Sequence, residues 1–162
     1  MKVLVAIDDS TCSKDILEYV GKLLWKPEDQ FVVLTVLEPV PMDFGLGNPP
    51  LSDEAFDQGL YDQCADLTAQ AGLTIKKFLP DNHVEAKVLV GHPVDQICRC
   101  AESFDSDLLI LGSHGRKGFQ KFLLGSVAEE VLKKAPCSVA IFKAKVKHEK
   151  NKENSSAVTG NA

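Results

Sequence analysis

The sequence lacks several features that are typical of membrane proteins and of nucleic-acid-binding proteins. None of its apolar runs approaches the ~20 residues that a membrane-spanning helix needs, so we expect no membrane partner. Basic residues are not in excess, because 18 Lys and Arg stand against 23 Asp and Glu, and the net charge of −5 disfavours a nucleic-acid binder. The first residues already resemble a strand, so we expect no signal peptide. These absences predict a cytoplasmic protein.

A disulfide or metal framework is also missing. The five cysteines are odd in number and scattered along the chain, which is typical of reduced thiols in a cytosolic protein. Cys98 and Cys100 lie two residues apart and would point away from each other on a helix. We therefore predict packing thiols rather than metal ligands, because free cysteine is often buried.

Two common phosphate-binding signatures are absent as well. No segment has the Walker pattern of Gly, four residues and Gly-Lys-Ser/Thr, and no segment has G-x-G-x-x-G. The 162 residues contain no internal repeat and no linker of domain scale, which indicates one domain. We assign this domain to residues 1–144 and predict a disordered, charged tail at 145–162, where apolar residues are few.

Short apolar segments alternate with amphipathic ones along the rest of the chain. This order predicts an open five-stranded parallel sheet with helices on both faces, a Rossmann-like α/β fold. The predicted strands cover residues 2–7, 31–37, 84–90 (at the sheet edge), 107–111 and 138–142, and the helices cover 13–25, 52–79, 93–103 and a segment after residue 125. The apolar stripes predicted to be buried include Leu23, Leu24, Phe78 and Leu132.

The connection between the fourth strand and the fourth helix carries the strongest functional signal. It is much longer than the usual two to six residues of a strand-to-helix connection. Glycine permits positive φ and a close approach of the backbone to a ligand, and a helix N-terminus offers unpaired N–H groups and a positive dipole end. The segment therefore favours a phosphate cradle over an ordinary connection. Its glycines are Gly112, Gly115, Gly118 and Gly125, followed by Ser126, with Arg116, Lys117 and Lys121 between them.

Asp8 follows the first predicted strand. Ligands of open α/β sheets bind at the carboxyl ends of strands where the strand order reverses. If the first and fourth strands are neighbours, Asp8 and the Gly112 loop meet at that crevice. The alternative is that Asp8 only caps the first helix.

The spacing Gly112-x2-Gly115-x9-Gly125-Ser126 resembles the glycine loop of the universal stress proteins. The opening VLVAIDDS, residues 84–93 and the closing PCSVAIF extend the resemblance over about residues 1–143. The resemblance implies the ATP-binding branch of that family, a sheet ordered 3-2-1-4-5, and a nucleotide lying across the first and fourth strands.

The resemblance also implies roles for individual residues. Asp8 is expected to contact the adenosine part through the ribose or the base, while Val36 contacts the base through its backbone. Ala6 stands where relatives often have proline, and Asp9 stands where many have glycine. Leu111 and Gly112 are expected beneath the sugar and phosphates, and the phosphates are expected on the backbone N–H groups of Gly115, Gly125, Ser126 and Val127, with the Ser126 hydroxyl adding one bond.

The implied ligand is ATP, or AMP or ADP, with Mg²⁺ or Mn²⁺ carried by the phosphates. The implied partner is a second copy of the chain, paired through residues 138–142. Because no base is paired with Ser126, we expect a stress-response regulatory or binding module with slow or absent ATP hydrolysis, at most a weak ATPase.

Two alternatives remain open. Asp8 and Asp9 also suit a phosphoacceptor receiver domain, although such a domain needs an aspartate where this chain has Gly91, His92 and Pro93. The other alternative is a dimeric interaction module that never binds nucleotide.

Overall fold

Five β-strands and four α-helices alternate along the computed structural model, which describes residues 1–39, 58–113 and 124–143. The predicted tail and the predicted start of the second helix near residue 52 lie outside these ranges. The elements are β1 (Lys2–Ile7), α1 (Thr11–Lys22), β2 (Gln30–Leu37), α2 (Gln58–Phe78), β3 (His83–Val90), α3 (Pro93–Ser103), β4 (Leu108–Gly112), α4 (Ser126–Lys134) and β5 (Ser138–Phe142).

All neighbouring strands pair in parallel, in the order β3-β2-β1-β4-β5. The predicted fold class and strand order are therefore confirmed. The order reverses at β1, which pairs with β2 on one side and with β4 on the other. Ala6 shows this central position, because it lies opposite Leu34 in β2 and opposite Leu111 in β4.

The central strands are buried on both faces, which explains why β1 and β2 are continuous apolar runs rather than alternating ones. One core cluster joins β1 to α1 and α2, and includes Val5, Ile16 and Ile75. The other joins β1 to α3 and α4, and includes Leu4 and Val131. Within the described ranges, no helix has both the length and the apolar character that a bilayer crossing requires.

The apolar stripes of the helices are shorter than predicted. Helix α1 ends at Lys22 and not at residue 25, and Leu23 already has extended dihedral angles. Leu24 consequently leaves the helical periodicity and is fully exposed. On α4, Ala128 and Val131 occupy the inward face, so that Leu132, one residue further, is turned outward and is 52% exposed. The predicted burial of these leucines was wrong.

The predicted burial of Phe78 was also wrong, since this last residue of α2 is 43% exposed. Its ring nevertheless packs on α1 at Gly21, where an added Cβ atom would clash with the ring. Gly21 is the penultimate residue of α1, where glycine costs less than the ~1 kcal/mol that it costs in a helix interior relative to alanine. Here it allows the ends of α1 and α2 to approach each other.

Candidate functional site

The carboxyl ends of β1 and β4 bring together four of the residues predicted for the site. Ala6 and Leu111 are buried neighbours in adjacent strands. Asp8 follows β1 directly, and Gly112 is the last residue of β4. The sheet order reverses between these two strands, so the four residues lie at the position where open α/β sheets bind ligands.

Asp8 is held in place by the first turn of α1. The hydroxyl of Ser13 donates to Asp8 Oδ1 at 2.9 Å, and the backbone N–H of Ser10 donates to the same oxygen at 3.1 Å. The backbone N–H of Asp8 in turn donates to Ser13 Oγ at 3.0 Å. Asp8 is not the N-cap of α1, which is Ser10, but one of its carboxylate oxygens binds two residues at the helix start. The other oxygen, Oδ2, accepts no hydrogen bond from the described residues.

A pair of backbone hydrogen bonds fixes where the glycine segment leaves β4 and where it enters α4. The N–H of Gly125 donates to the carbonyl of Ser113 at 2.8 Å. The N–H of Ser113 donates to the carbonyl of Phe142, at the end of β5, at 2.7 Å. The start of α4 therefore lies beside the carboxyl ends of β4 and β5.

Among the described residues, no side chain caps the N-terminus of α4. Gly125 is the N-cap residue, and it makes no side-chain hydrogen bond. The first helical bond recorded at this end runs from the N–H of Glu129 to the carbonyl of Gly125 at 2.9 Å. The N–H groups of Ser126 and Val127 belong to the first turn, which has no partner within the helix. Unpartnered amides of this kind are suited to bind an anion, and the predicted role of Ser126 and Val127 in holding phosphates stays a prediction.

Gly112 and Gly125 do not use the freedom of glycine to adopt a positive φ, which is one of the predicted reasons for glycine in this loop. Among the described residues, the glycine with a positive φ is Gly91, at 139°. Gly125 has φ of −62° and ψ of 149°, which any residue can adopt. What glycine provides at this N-cap is therefore the absence of a side chain.

The remaining predicted site residues lie in β2, at the start of α4, or outside the described residues. Val36 lies one residue before the end of β2, opposite Leu89 in β3, and is half-buried. Ser126 is exposed and Val127 is half-buried at the start of α4. Gly115 lies outside the described residues, as do the basic side chains of residues 116, 117 and 121. The predicted role of Gly115 stays a prediction.

Two residues that the sequence prediction did not assign to the site contribute to its construction. The sequence prediction placed Ser13 only at the start of the first helix, five residues after Asp8, and did not assign it a contact with Asp8. Ser113 acts through its backbone atoms, so no side-chain pattern could have indicated it.

The thiols contribute to packing, as predicted. Cys12, Cys64 and Cys100 are buried, and Cys98 and Cys137 are partly buried against the α3–α4 core. Burial raises the pKa of Cys98, Cys100 and Cys137, which lowers the thiolate fraction and hence the reactivity at neutral pH. Within the described ranges, no group of three or more His, Cys, Asp or Glu side chains is arranged to hold a metal ion.

A five-stranded parallel sheet with a carboxylate and an uncapped helix N-terminus at its reversal point defines a doubly wound α/β protein with a candidate anion site. The model of the universal stress protein family matches residues 1–143. The chain therefore belongs to the universal stress protein family, and the membership predicted from the glycine spacing is confirmed.

One relative resembles the chain over nearly its whole length. The universal stress protein MJ0577 of Methanocaldococcus jannaschii is 28% identical over 154 residues, covering 89% of this chain and 95% of the relative. The solved structure of MJ0577 matches with a TM-score of 0.69, covering 90% of this chain and 96% of that chain.

Three further solved structures of universal stress proteins contain an adenine nucleotide, and their similarity to this chain establishes the fold alone. One, in complex with cAMP, is 21% identical with a TM-score of 0.64, covering 90% of this chain and 98% of that chain. The protein of Archaeoglobus fulgidus with dAMP is 20% identical with a TM-score of 0.62, covering 88% and 98%. The protein of Arabidopsis thaliana with AMP is 19% identical with a TM-score of 0.61, covering 94% and 97%.

Proposed function

We propose that this protein binds ATP, or AMP or ADP, across the carboxyl ends of β1 and β4, and acts in the cytoplasm as a regulatory or binding module of the stress response. The observation that carries the proposal is the hydrogen bond from Gly125 to Ser113, which holds the uncapped start of α4 beside the reversal point of the sheet. Adenine nucleotides in three solved universal stress proteins support this ligand class.

The order of the strand ends gives the nucleotide a direction. Neighbouring strands lie ~4.8 Å apart, so β2, β1 and β4 together span about 10 Å. Val36 is at the end of β2, Asp8 follows β1, and Gly112 ends β4 next to the first turn of α4. A base near Val36, a ribose near Asp8 and phosphates near Gly112 and α4 follow this order. This direction also keeps the anionic phosphates away from the Asp8 carboxylate.

The proposed chemistry is binding with slow or absent hydrolysis. The α4 amides would hold the phosphates without providing a general base, and the nearest hydroxyl on that turn, Ser126, has no base paired with it among the described residues. Mg²⁺ or Mn²⁺ would arrive on the phosphates and neutralise part of their charge. The nucleotide then acts as a regulatory ligand rather than as a substrate.

We also propose a homodimer paired through β5. This strand lies at an edge of the sheet, and its sequence SVAIF carries no charged residue. An uncharged edge strand exposes unpaired backbone groups, which a second copy can satisfy. Symmetric pairing would place the same strand of both copies at the two-fold axis.

The experiment that tests nucleotide binding compares the wild type with Gly125→Val. Valine tolerates the dihedral angles at residue 125, so the variant should fold with a loss of about 1 kcal/mol for the poorer N-cap. Its side chain would occupy the space that a phosphate needs, and we expect the Kd for AMP and for ATP·Mg to rise at least about 10-fold, measured by calorimetry.

The matched control is Gly59→Val, the same change at an exposed position on α2. It should leave both Kd values unchanged. Chromatography of the small molecules released on denaturing freshly purified protein would identify the bound nucleotide. A wild-type protein that releases no nucleotide and shows no thermal shift with AMP or ATP·Mg would refute the proposal and favour the nucleotide-independent dimeric module.

A further inference from the structure

Ser13 is a buried polar residue whose hydroxyl is fully engaged with one other residue. Its side chain is only 5% exposed, although it lies in the first turn of α1. The hydroxyl proton is donated to Asp8 Oδ1, and the hydroxyl oxygen accepts the N–H of Asp8. Ser13 therefore bonds both the side chain and the backbone of Asp8.

This reciprocal contact restricts the Asp8 carboxylate. Two donors, the Ser13 hydroxyl and the Ser10 amide, converge on Oδ1, which sets the side-chain rotamer. Oδ2 accepts no hydrogen bond from the described residues and keeps its capacity to accept. A group that is already fixed before the ligand arrives loses less rotational freedom on binding, so each hydrogen bond to the ligand contributes more affinity.

We propose that Ser13 is a positioning residue of the nucleotide site, which fixes Asp8 so that its second oxygen accepts a hydrogen bond from a ribose hydroxyl. This inference rests on the proposed nucleotide binding. A carboxylate can only accept hydrogen bonds, so its partner on the ligand has to be a donor. In an adenine nucleotide the donors are the ribose hydroxyls and the base amine.

The position of β1 selects the ribose. Asp8 follows the strand that lies between β2, at the base end of the proposed site, and β4, at the phosphate end. The ribose joins the base to the phosphates and therefore occupies the middle. Ser13 would thus contribute to affinity and to the discrimination between ribose and deoxyribose without touching the ligand.

The test measures the affinities of AMP, 2′-deoxyAMP and 3′-deoxyAMP for six proteins: wild type, Ser13→Ala, Ser13→Thr, Asp8→Ala, the double variant of Ser13→Ala with Asp8→Ala, and Ser106→Ala. The wild type should bind AMP more tightly than at least one deoxy analogue. We expect Ser13→Ala to weaken AMP about 5-fold, the value of one hydrogen bond, and to reduce the preference for AMP over that analogue. The double variant should bind like Asp8→Ala alone, because Ser13 acts through Asp8.

Two matched variants separate positioning from a general loss of structure. Ser13→Thr keeps the hydroxyl and should restore the AMP affinity to within about 2-fold of wild type. Ser106→Ala removes a buried hydroxyl that has no hydrogen-bond partner among the described residues. Ser106 lies just before β4, at the amino end of the strands and therefore at the end of the sheet opposite the site. It should change neither affinity nor discrimination.

Several outcomes would overturn the inference. Two concern AMP affinity: Ser13→Ala leaves it unchanged, or the effects of Ser13→Ala and Asp8→Ala on it simply add. A third is a wild type that does not distinguish AMP from either deoxy analogue. The fourth is a Ser13→Ala protein that no longer folds without ligand. Each of these leaves nucleotide binding by the wild type intact. A wild type that binds no AMP at all would instead refute the proposed function.

Discussion

The two edges of the sheet differ in how they expose their backbone. The β3 edge carries His83, Glu85 and Lys87 within eight residues, and Lys87 Nζ lies 3.2 Å from Glu85 Oε1. The β5 edge has five residues and no charge. Both strands end the sheet that the described residues form.

This difference favours β5 over β3 as the edge at which the proposed homodimer forms. Charged side chains on an edge strand oppose pairing, because a partner strand would have to desolvate them. The β3 edge has this protection and the β5 edge lacks it. The sequence of each edge therefore supports a monomer surface at β3 and a pairing surface at β5, and substitutions at matched positions can test the contrast.

The largest effect should come from a lysine placed in the middle of β5. Ala140 is exposed, and in a symmetric dimer Ala140→Lys would introduce two like charges near the axis. We expect the dimer Kd to rise on the order of 100-fold, because the two charges repel each other and must be desolvated. Sedimentation velocity over a range of concentrations would measure the change.

Ala86→Lys provides the matched control, since Ala86 is an exposed alanine in the middle of the opposite edge strand. It should leave the oligomeric state unchanged, and both variants should keep the stability of the monomer within about 0.5 kcal/mol. Equal effects of Ala140→Lys and Ala86→Lys on the dimer Kd would show that β5 is not preferred over β3 for pairing.

A smaller effect should follow from removing the charges of β3. The double substitution Glu85→Val with Lys87→Val replaces the ion pair by β-branched residues that favour strands. We expect the β3 edge of the variant to pair with other protein molecules, which should increase light scattering several-fold at high protein concentration.

The charge-swapped protein, Glu85→Lys with Lys87→Glu, keeps two charges on the same edge and serves as the control. It should scatter light like the wild type. If the valine variant remains as soluble and as small as the swapped one, the charges of β3 do not protect this edge.

Local patterns were sufficient to predict most of the fold. The apolar run of β1 was predicted at residues 2–7 and is found at Lys2–Ile7, because a strand buried on both faces has a distinctive composition. Helix ends were predicted less well, as the exposure of Leu24 shows. An apolar residue just beyond a helix resembles the next member of its stripe, and only the backbone angles reveal that the helix has ended.

The site was predictable where it depends on residue type and not where it depends on tertiary contacts. The family spacing located Gly112 and Gly125, and the end of β1 located Asp8. The bond from Ser113 to Phe142 joins the backbone just after β4 to the backbone of β5, and contacts between backbone atoms leave no trace in the sequence. The contact of Thr68 with Thr35, 2.7 Å between two buried hydroxyls on α2 and β2, is hidden for a similar reason, since neither threonine indicates its partner.

The smallest predicted effect connects the β5 edge with the nucleotide. The Gly125 amide bonds to the Ser113 carbonyl, and the Ser113 amide bonds to the carbonyl of Phe142 in β5. At the other edge, the amide of Gly91 after β3 bonds to Leu37 in β2. A ligand that orders the start of α4 should therefore also order β5, and saturating AMP should lower the dimer Kd about 5-fold, at the low end of usual coupling energies.

Linkage requires the same total free energy in the reverse direction, and a symmetric dimer divides it between its two nucleotide sites. The Ala140→Lys protein, if monomeric, should therefore bind AMP about 2-fold more weakly than the wild-type dimer, the square root of the ~5-fold change in the dimer Kd. Ala86→Lys should bind AMP normally. Sedimentation equilibrium with and without AMP, and calorimetry on both variants, would measure the two factors. A dimer Kd that AMP does not change, together with normal AMP binding by the monomer, would mean that the hydrogen bonds through Ser113 only shape the site and transmit nothing to the β5 edge.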